Sequence, residues 1–118
     1  MIRIELPYPP TVNNLFKNAG KSRVKTLAYT SWIKLASTFI KASHRQNVGP
    51  YSIAIALKRP DNRRRDIANC EKAISDLLVA HGVVRDDSLC QRLTMTWDSG
   101  INAGCVVIVA PAEEGLAA

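Results

Sequence analysis

The chain predicts an α+β domain of α/β-like character: a mixed four-stranded sheet with helices packed on it, in the order β-α-β-α-β-β. Three observations predict it. Residues Ile2–Leu6, 51–58 and Cys90–Trp97 alternate apolar with polar or small side chains, the two-residue period of a half-buried strand. Residues 105–109 are apolar throughout, as in a strand covered on both faces, so that strand is placed at the sheet centre. Residues 28–46 and 67–81 repeat apolar side chains at three- and four-residue spacing, the period of a helix with one buried face.

Taken in order, Ile2–Leu6 is ended by Pro7-Tyr8-Pro9-Pro10, whose prolines remove ladder donors and hold the chain extended. Residues 11–26 read as a polar, basic loop with turn signals at Asn13-Asn14 and Asn18-Ala19-Gly20-Lys21. A loop of that length is either disordered or in contact with a substrate, and both readings stand. The first helix, 28–46, buries Trp32, Ile33, Leu35, Ala36, Phe39 and Ile40, leaves His44 at the surface, and stops at Asn47-Val48-Gly49-Pro50. The second strand, 51–58, turns at Arg59-Pro60-Asp61-Asn62 and runs through three arginines into the second helix, 67–81, with Gly82 as its left-handed cap. After Val83-Val84, a brief extended piece, Arg85-Asp86-Asp87-Ser88 makes a turn with two adjacent acids. Residues 98–104 are expected to form a hairpin loop between the last two strands, and 111–118 to fray.

A length of 118 residues suits one domain, 1–118. No apolar run reaches the ~18 residues of a membrane span, and the first residues lack the apolar core of a signal peptide, so the expectation is a cytoplasmic protein. Cys70, Cys90 and Cys105 are scattered and odd in number, which indicates neither a disulfide framework nor a zinc site but small buried side chains. The net charge of +6 is unevenly placed. Lys17, Lys21, Arg23 and Lys25 crowd one loop, and Lys58, Arg59, Arg63, Arg64 and Arg65 another. Two basic loops in an otherwise balanced chain point to a polyanionic partner, nucleic acid before others, against the plainer reading of a solvated basic surface.

Residues 63–78 concentrate the chemistry. On an α-helical wheel of about 100° per residue with Asp66 at zero, Asn69, Lys72 and Asp76 fall between roughly −60° and −120°, opposite an apolar stripe of Ile67, Cys70, Ile74, Leu77 and Leu78. Asp66 suits two roles. It can cap the orphan N–H groups of the helix start, and its carboxylate can serve chemistry there. Hydrolysis of a phosphodiester calls for a divalent cation held by hard oxygen ligands from separate elements. Asp66 and the Asp86-Asp87 turn can supply them if the chain doubles back at Gly82, and Lys72 can offer positive charge to the transition state. Capping and a solvated acidic turn are the structural alternatives. No Gly-rich phosphate loop, metal-spaced histidine pair or serine elbow competes.

Arg64-Arg65-Asp66-x-x-Asn69-x-x-Lys72, then Asp76-Leu77-Leu78 and Gly82-x-x-x-Asp86-Asp87, resembles the RusA-type Holliday junction resolvases, the crossover junction endodeoxyribonucleases. The segment Leu6-Pro7-x-Pro9-Pro10-x-x-Asn13-Asn14 is similar to the opening of the same family. The resemblance implies a small, dimeric, Mg²⁺-dependent endonuclease of DNA recombination and repair that nicks four-way junctions symmetrically. It implies Asp66, Lys72 and Asp87 as catalytic residues, and Asp66 and Asp87, with the adjacent Asp86, are the expected metal ligands. DNA contacts are expected from Lys17, Lys21, Arg23, Lys25, Arg63, Arg64 and Arg65, with Asn13, Asn14, Asn69 and Asp76 in support. The departure is Ala68, which stands where the family motif has a second acid. On the α-helical wheel Glu71 projects away from Asp66 and is a poor substitute, so Asp86 is the expected replacement. Loss of a metal ligand gives the alternative: a catalytically impaired protein that binds junctions or DNA.

Overall fold

A computed structural model describes residues 1–112. The chain forms β1 (Ile2–Leu6), β2 (Phe16–Ala19), β3 (Ser22–Lys25), α1 (Leu27–Ser37), β4 (Tyr51–Leu57), α2 (Glu71–Ala80), β5 (Cys90–Trp97) and β6 (Cys105–Pro111), with short 3-10 turns between them. The main sheet is four-stranded and mixed, in the order β1-β6-β4-β5, and β2 and β3 form a separate two-stranded ribbon. This is the expected fold class. β6 is central, as its unbroken apolar run demands: Cys105, Val106, Val107 and Val109 are all buried.

The helices cover one face of the sheet. Ile2, Ile4 and Leu6 of β1, Ile53, Ile55 and Leu57 of β4, and Val107 and Val109 of β6 meet Tyr29, Trp32 and Ala36 of α1 and Ile74, Leu77 and Leu78 of α2 in one buried cluster. The Trp32 indole N–H donates to the Pro7 carbonyl at 3.0 Å, tying α1 to the end of β1. The opposite face carries exposed or half-buried Ser52, Ala54, Ala56, Thr94, Thr96 and Ile108.

The connection between the last two strands is not a hairpin. β4 lies between them, pairing parallel with β5 and antiparallel with β6. The reason lies in the side chains: β6 is apolar on both faces and needs a neighbour on each side, whereas β5, exposed at Gln91, Arg92, Thr94 and Thr96, tolerates the sheet edge.

The basic segment 11–26 is not a plain loop. It holds the ribbon, with Phe16 paired to Lys25 and Ala19 to Ser22 around a turn at Gly20, whose φ of 64° favours glycine. Every ribbon residue is exposed, so no apolar alternation marks it.

Both helices are shorter than their periodicity suggests. α1 starts at an N-cap, Thr26, whose hydroxyl accepts from the Tyr29 N–H at 3.2 Å, and it ends at Ser37 instead of continuing to 46. There the Ser37 and Thr38 hydroxyls bond back to the Ile33 and Leu35 carbonyls, both at 2.6 Å, and residues 38–40 tighten onto i−3 carbonyls. Ala42–His44 then forms a separate 3-10 turn. The second helix opens with a 3-10 turn, Ile67–Cys70, before becoming α-helical at Glu71. Gly82 ends it with a φ of 70°, as predicted. Of the tail expected to fray, Pro111 pairs with Tyr51 at the end of β6 and the Ala112 N–H donates to the Pro50 carbonyl at 2.9 Å, while 113–118 lie outside the described residues.

All three cysteines are free, Cys70 and Cys105 fully buried and Cys90 partly so. Burial pushes the Cys105 thiol up to about 12, which keeps it protonated and inert.

Ile74 is 0% exposed at the centre of the helix-sheet layer. Ile74→Ala is expected to lower stability by about 2–5 kcal/mol in urea unfolding, with an unchanged m-value.

Candidate active site

The start of α2 is the meeting point. The 3-10 turn at Val12–Asn14 packs against both Ile67–Cys70 and α2, and the 3-10 turn at Asp87–Leu89 packs against α2. Asn13 and Asn14 therefore stand beside the helix start, with the acid turn packed on the same helix. Asn14 donates from its amide to the Thr11 hydroxyl at 3.1 Å, and its carbonyl accepts from the Thr26 hydroxyl at 2.6 Å. These bonds fix the base of the basic ribbon next to the site.

Asp66 caps the 3-10 turn. Its backbone is extended, with φ −92° and ψ 113°, and its carboxylate accepts from the Ala68 N–H at 3.2 Å. The second carboxylate oxygen has no partner among the described residues, and the side chain is exposed, so capping leaves acceptor capacity free. Lys72, exposed on the first turn of α2, pairs with Asp76 at 3.1 Å. Hydrogen bonding to Asp76 raises the Lys72 ammonium above its usual range, and the charges of Asp87 and Glu71 act in the same direction. Lys72 is thus held charged and tied to Asp76 along its own helix.

The Asp86-Asp87 pair divides. The Asp86 carboxylate accepts from the Ser88 hydroxyl across its own turn. Asp87 opens the turn on α2 and acts electrostatically on Lys72, Tyr51 and Cys90. Glu71 acts in the same way on the same three groups. Burial, together with these charges, pushes the Tyr51 phenol up to about 12, so it stays a neutral O–H beside the acids. Glu71 does not stand where an α-helical wheel puts it. An α-helical wheel turns it away, but residues 67–70 advance by three per turn, so Glu71 follows Ala68 by one full turn and lies along the same line. It also accepts from the buried Ser75 hydroxyl. No sequence signal announces the 3-10 opening.

Among the described residues, no group of three or more His, Cys, Asp or Glu side chains stands close enough to enclose a metal ion. Asp66, Asp86 and Asp87 therefore do not form a ready-made cage. Asp66 and Asp87 nevertheless keep exposed carboxylate oxygens, and Mg²⁺ uses such sparse sets, one or two carboxylates completed by water and substrate phosphate.

The basic residues also divide. Lys17, Lys21, Arg23 and Lys25 are exposed on the ribbon, where Arg23 lies 5.2 Å over the Phe16 ring and Phe16 meets Tyr29 edge-on at 5.8 Å. Arg63 and Arg64 are exposed, and neither side chain has an acidic partner among the described residues. Arg65 is different, forming a two-point ion pair with Asp61. Of the expected DNA contacts, Arg65 is the one whose donors are already engaged.

A helix start that presents carboxylates and an ammonium between two basic loops defines a protein built to act on a polyanion. The family model described as Endodeoxyribonuclease RusA matches residues 7–110. A crossover junction endodeoxyribonuclease RusA of Escherichia coli strain K12 is 33% identical over 89 residues, 72% of each chain. The protein of the same name from Enterobacteria phage 82 is 34% identical over 89 residues, again 72% of each chain. That from Shigella sonnei is 33% identical over 91 residues. The chain belongs to the RusA family of endodeoxyribonucleases.

Asp66→Asn keeps the capping oxygen and is expected to leave the melting temperature nearly unchanged, whereas Asp66→Ala should cost about 0.5–2 kcal/mol in denaturant unfolding. Equal losses for both would show that charge, not the cap, holds this turn.

Proposed function

We propose that the protein resolves Holliday junctions by symmetric, Mg²⁺-dependent phosphodiester hydrolysis, in DNA recombination and repair, as a cytoplasmic homodimer. The observation that carries this reading is the family match over residues 7–110, which spans both basic loops, α2 and the acid turn. The curated relatives carry the name crossover junction endodeoxyribonuclease, which points to branched DNA as the substrate. A four-way junction offers two symmetry-related strands, and a two-fold dimer presents two identical sites to them.

In this reading the ribbon lysines, Arg23, Arg63 and Arg64 bind phosphates, and affinity falls steeply with salt. Recognition is of junction shape, since these are backbone contacts. Asp66 and Asp87, with Asp86 beside them, supply the carboxylates for Mg²⁺. When bound, the ion neutralises phosphoryl oxygens and favours hydroxide over water. Lys72 places its ammonium where charge develops on the phosphate, and Asp76 fixes its direction. Asn69, half-buried one 3-10 turn after Asp66, stands in support.

One observation favours a second reading, a junction-binding protein with impaired catalysis. Ala68 removes an acid from the motif, and no enclosing group of three ligands replaces it among the described residues.

A synthetic four-way junction at low salt separates the two. The expected result is paired nicks with Mg²⁺, none with chelator, and a loss of about 100-fold or more in Asp66→Asn and Asp87→Asn. Tight binding with no cleavage establishes the second reading, in which case Ala68→Asp should restore cutting. Normal cleavage by Asp86→Asn would remove Asp86 from the ligand set.

A further inference from the structure

A groove of about 380 Å³ lies between α1 and α2 where the ribbon joins them. The ribbon gives it Phe16 and Lys25, α1 gives Tyr29 and Ile33, and α2 gives Asp76, Leu77 and Ala80. Tyr29 and Leu77 are its buried floor, whereas Phe16, Lys25 and Ala80 are exposed around it. Phe16 meets the Tyr29 ring edge-on at 5.8 Å, which fixes its plane. At the opposite end His81 Nε2 and the Ser37 hydroxyl meet at 2.8 Å and tie the two helices together. Aromatic and aliphatic walls with a few polar groups at the rim suit a small planar ligand.

The groove opens beside Lys72. Asp76 is both a wall of it and the partner of Lys72, which it engages through one oxygen at 3.1 Å; its other oxygen has no partner among the described residues. Four residues of α-helix separate Lys72 from Asp76, a rise of about 6 Å. A strand of duplex DNA advances about 3.4 Å per nucleotide. A base seated in the groove therefore belongs to a nucleotide one or two positions from a phosphate held at Lys72.

We propose that this groove is a nucleobase subsite, which takes one base turned out of the stack next to the scissile phosphate and packs it against Phe16 and Ile33. The inference rests on the nuclease reading above and deepens it by adding a subsite for the substrate. Charge and shape both favour a nucleotide as the occupant. The rim on the ribbon side is cationic, with Lys25 exposed and without an acidic partner among the described residues, so the phosphate of the same nucleotide has a counter-charge there. A base is apolar on its faces and polar along its edge. The walls match the faces, and the free Asp76 oxygen and the His81 ring match the edge. Stacking on an aromatic side chain accepts any base, so the groove holds a nucleotide without reading its identity. Turning a base out costs least where pairing is already broken, as at the branch point of a junction. The groove thereby favours branched DNA over perfect duplex.

The test fills the groove without removing any group from it. Ala80→Phe places a ring in the space from an exposed helix position, and Ala80→Ser is the control. Each is titrated with four-way junctions that carry one abasic nucleotide, moved in turn through the positions flanking the scissile phosphate. Ala80→Phe is expected to bind the intact junction about tenfold more weakly, and Ala80→Ser is expected to bind it as the unaltered chain does. At one or two adjacent positions the abasic nucleotide should erase the difference between Ala80→Phe and the unaltered chain, because no base remains to be excluded. A second measurement needs no variant: 2-aminopurine at that position should change its emission when the unaltered chain binds, and 2-aminopurine three or more nucleotides away should not.

Equal junction binding by Ala80→Phe and the unaltered chain overturns the proposal, as does a loss that persists at every abasic position. A loss that persists while the sedimentation mass of Ala80→Phe falls overturns it in favour of a second copy of the chain in the groove. Failure of the unaltered chain to prefer the junction over duplex overturns the nuclease reading instead, and the same abasic comparison on a single-stranded oligonucleotide still decides whether the groove takes a base.

Discussion

The double pairing of β6 is the constraint on which the rest of the molecule depends. Its antiparallel bonds to β1 on one side and β4 on the other force those two strands to run the same way, and β5 runs parallel to β4. Leu6, Cys105, Leu57 and Trp97 consequently stand in one row across the sheet. The chain leaves β1, β4 and β5 at the same edge. Three segments far apart in sequence converge there: the prolines with Tyr8, the arginine loop, and Trp97. The packing is tight at this edge. A Cβ on Gly104, just before β6, would stand 2.5 Å from the Tyr8 nitrogen, so glycine is the residue that lets the proline segment lie down.

Convergence explains how so small a core supports a polar site. The helix start lies on a buried layer in which Cys70, Ile74 and Leu78 are each 0% exposed, so its backbone is fixed from below. From above it is loaded with charges of both signs, and these sort by reach. Short carboxylates bond locally: Asp66 to Ala68, Asp61 to Arg63, and Asp86 to Ser88. Long cations either lie on rings, as Arg23, Arg59 and Arg65 do, or extend into solvent, as Lys17, Lys21, Arg63 and Arg64 do. An arginine over a ring gives up part of its hydration for packing and rigidity, whereas an arginine in solvent is free to displace the counterions condensed on a phosphate backbone.

Much of this was legible in the sequence, for a reason that also marks the failures. Residues that face the core announce themselves by period, so β1, β4, β5, β6 and the middle of both helices are found at or near their observed positions. The β2–β3 ribbon faces water on every side and carries no period, and only its glycine turn hints at it. The end of α1 was misread because Ser37 and Thr38 look neutral on a wheel, while their hydroxyls compete for the carbonyls that would extend it. The false hairpin has another source. Adjacency in sequence is a fair guide to pairing, but it yields when the later strand is apolar on both faces and must be flanked.

The same distinction governs the site. The motif places Asp66 and Lys72 near a helix start, and that is where the structure has them. Glu71 requires knowing the pitch of the turn before it. With α-helical pitch, position 71 stands about 60° from position 68 around the axis; with the three-residue pitch of the 3-10 opening, the two are in line. The acid missing at 68 thus has a carboxylate one turn further along the chain, on the side where Asp87 acts on Tyr51 and Cys90. That carboxylate is already hydrogen-bonded to Ser75 and begins α2, where it complements the helix dipole. Its charge therefore stands one turn from position 68, with one of its two carboxylate oxygens bonded to the Ser75 hydroxyl.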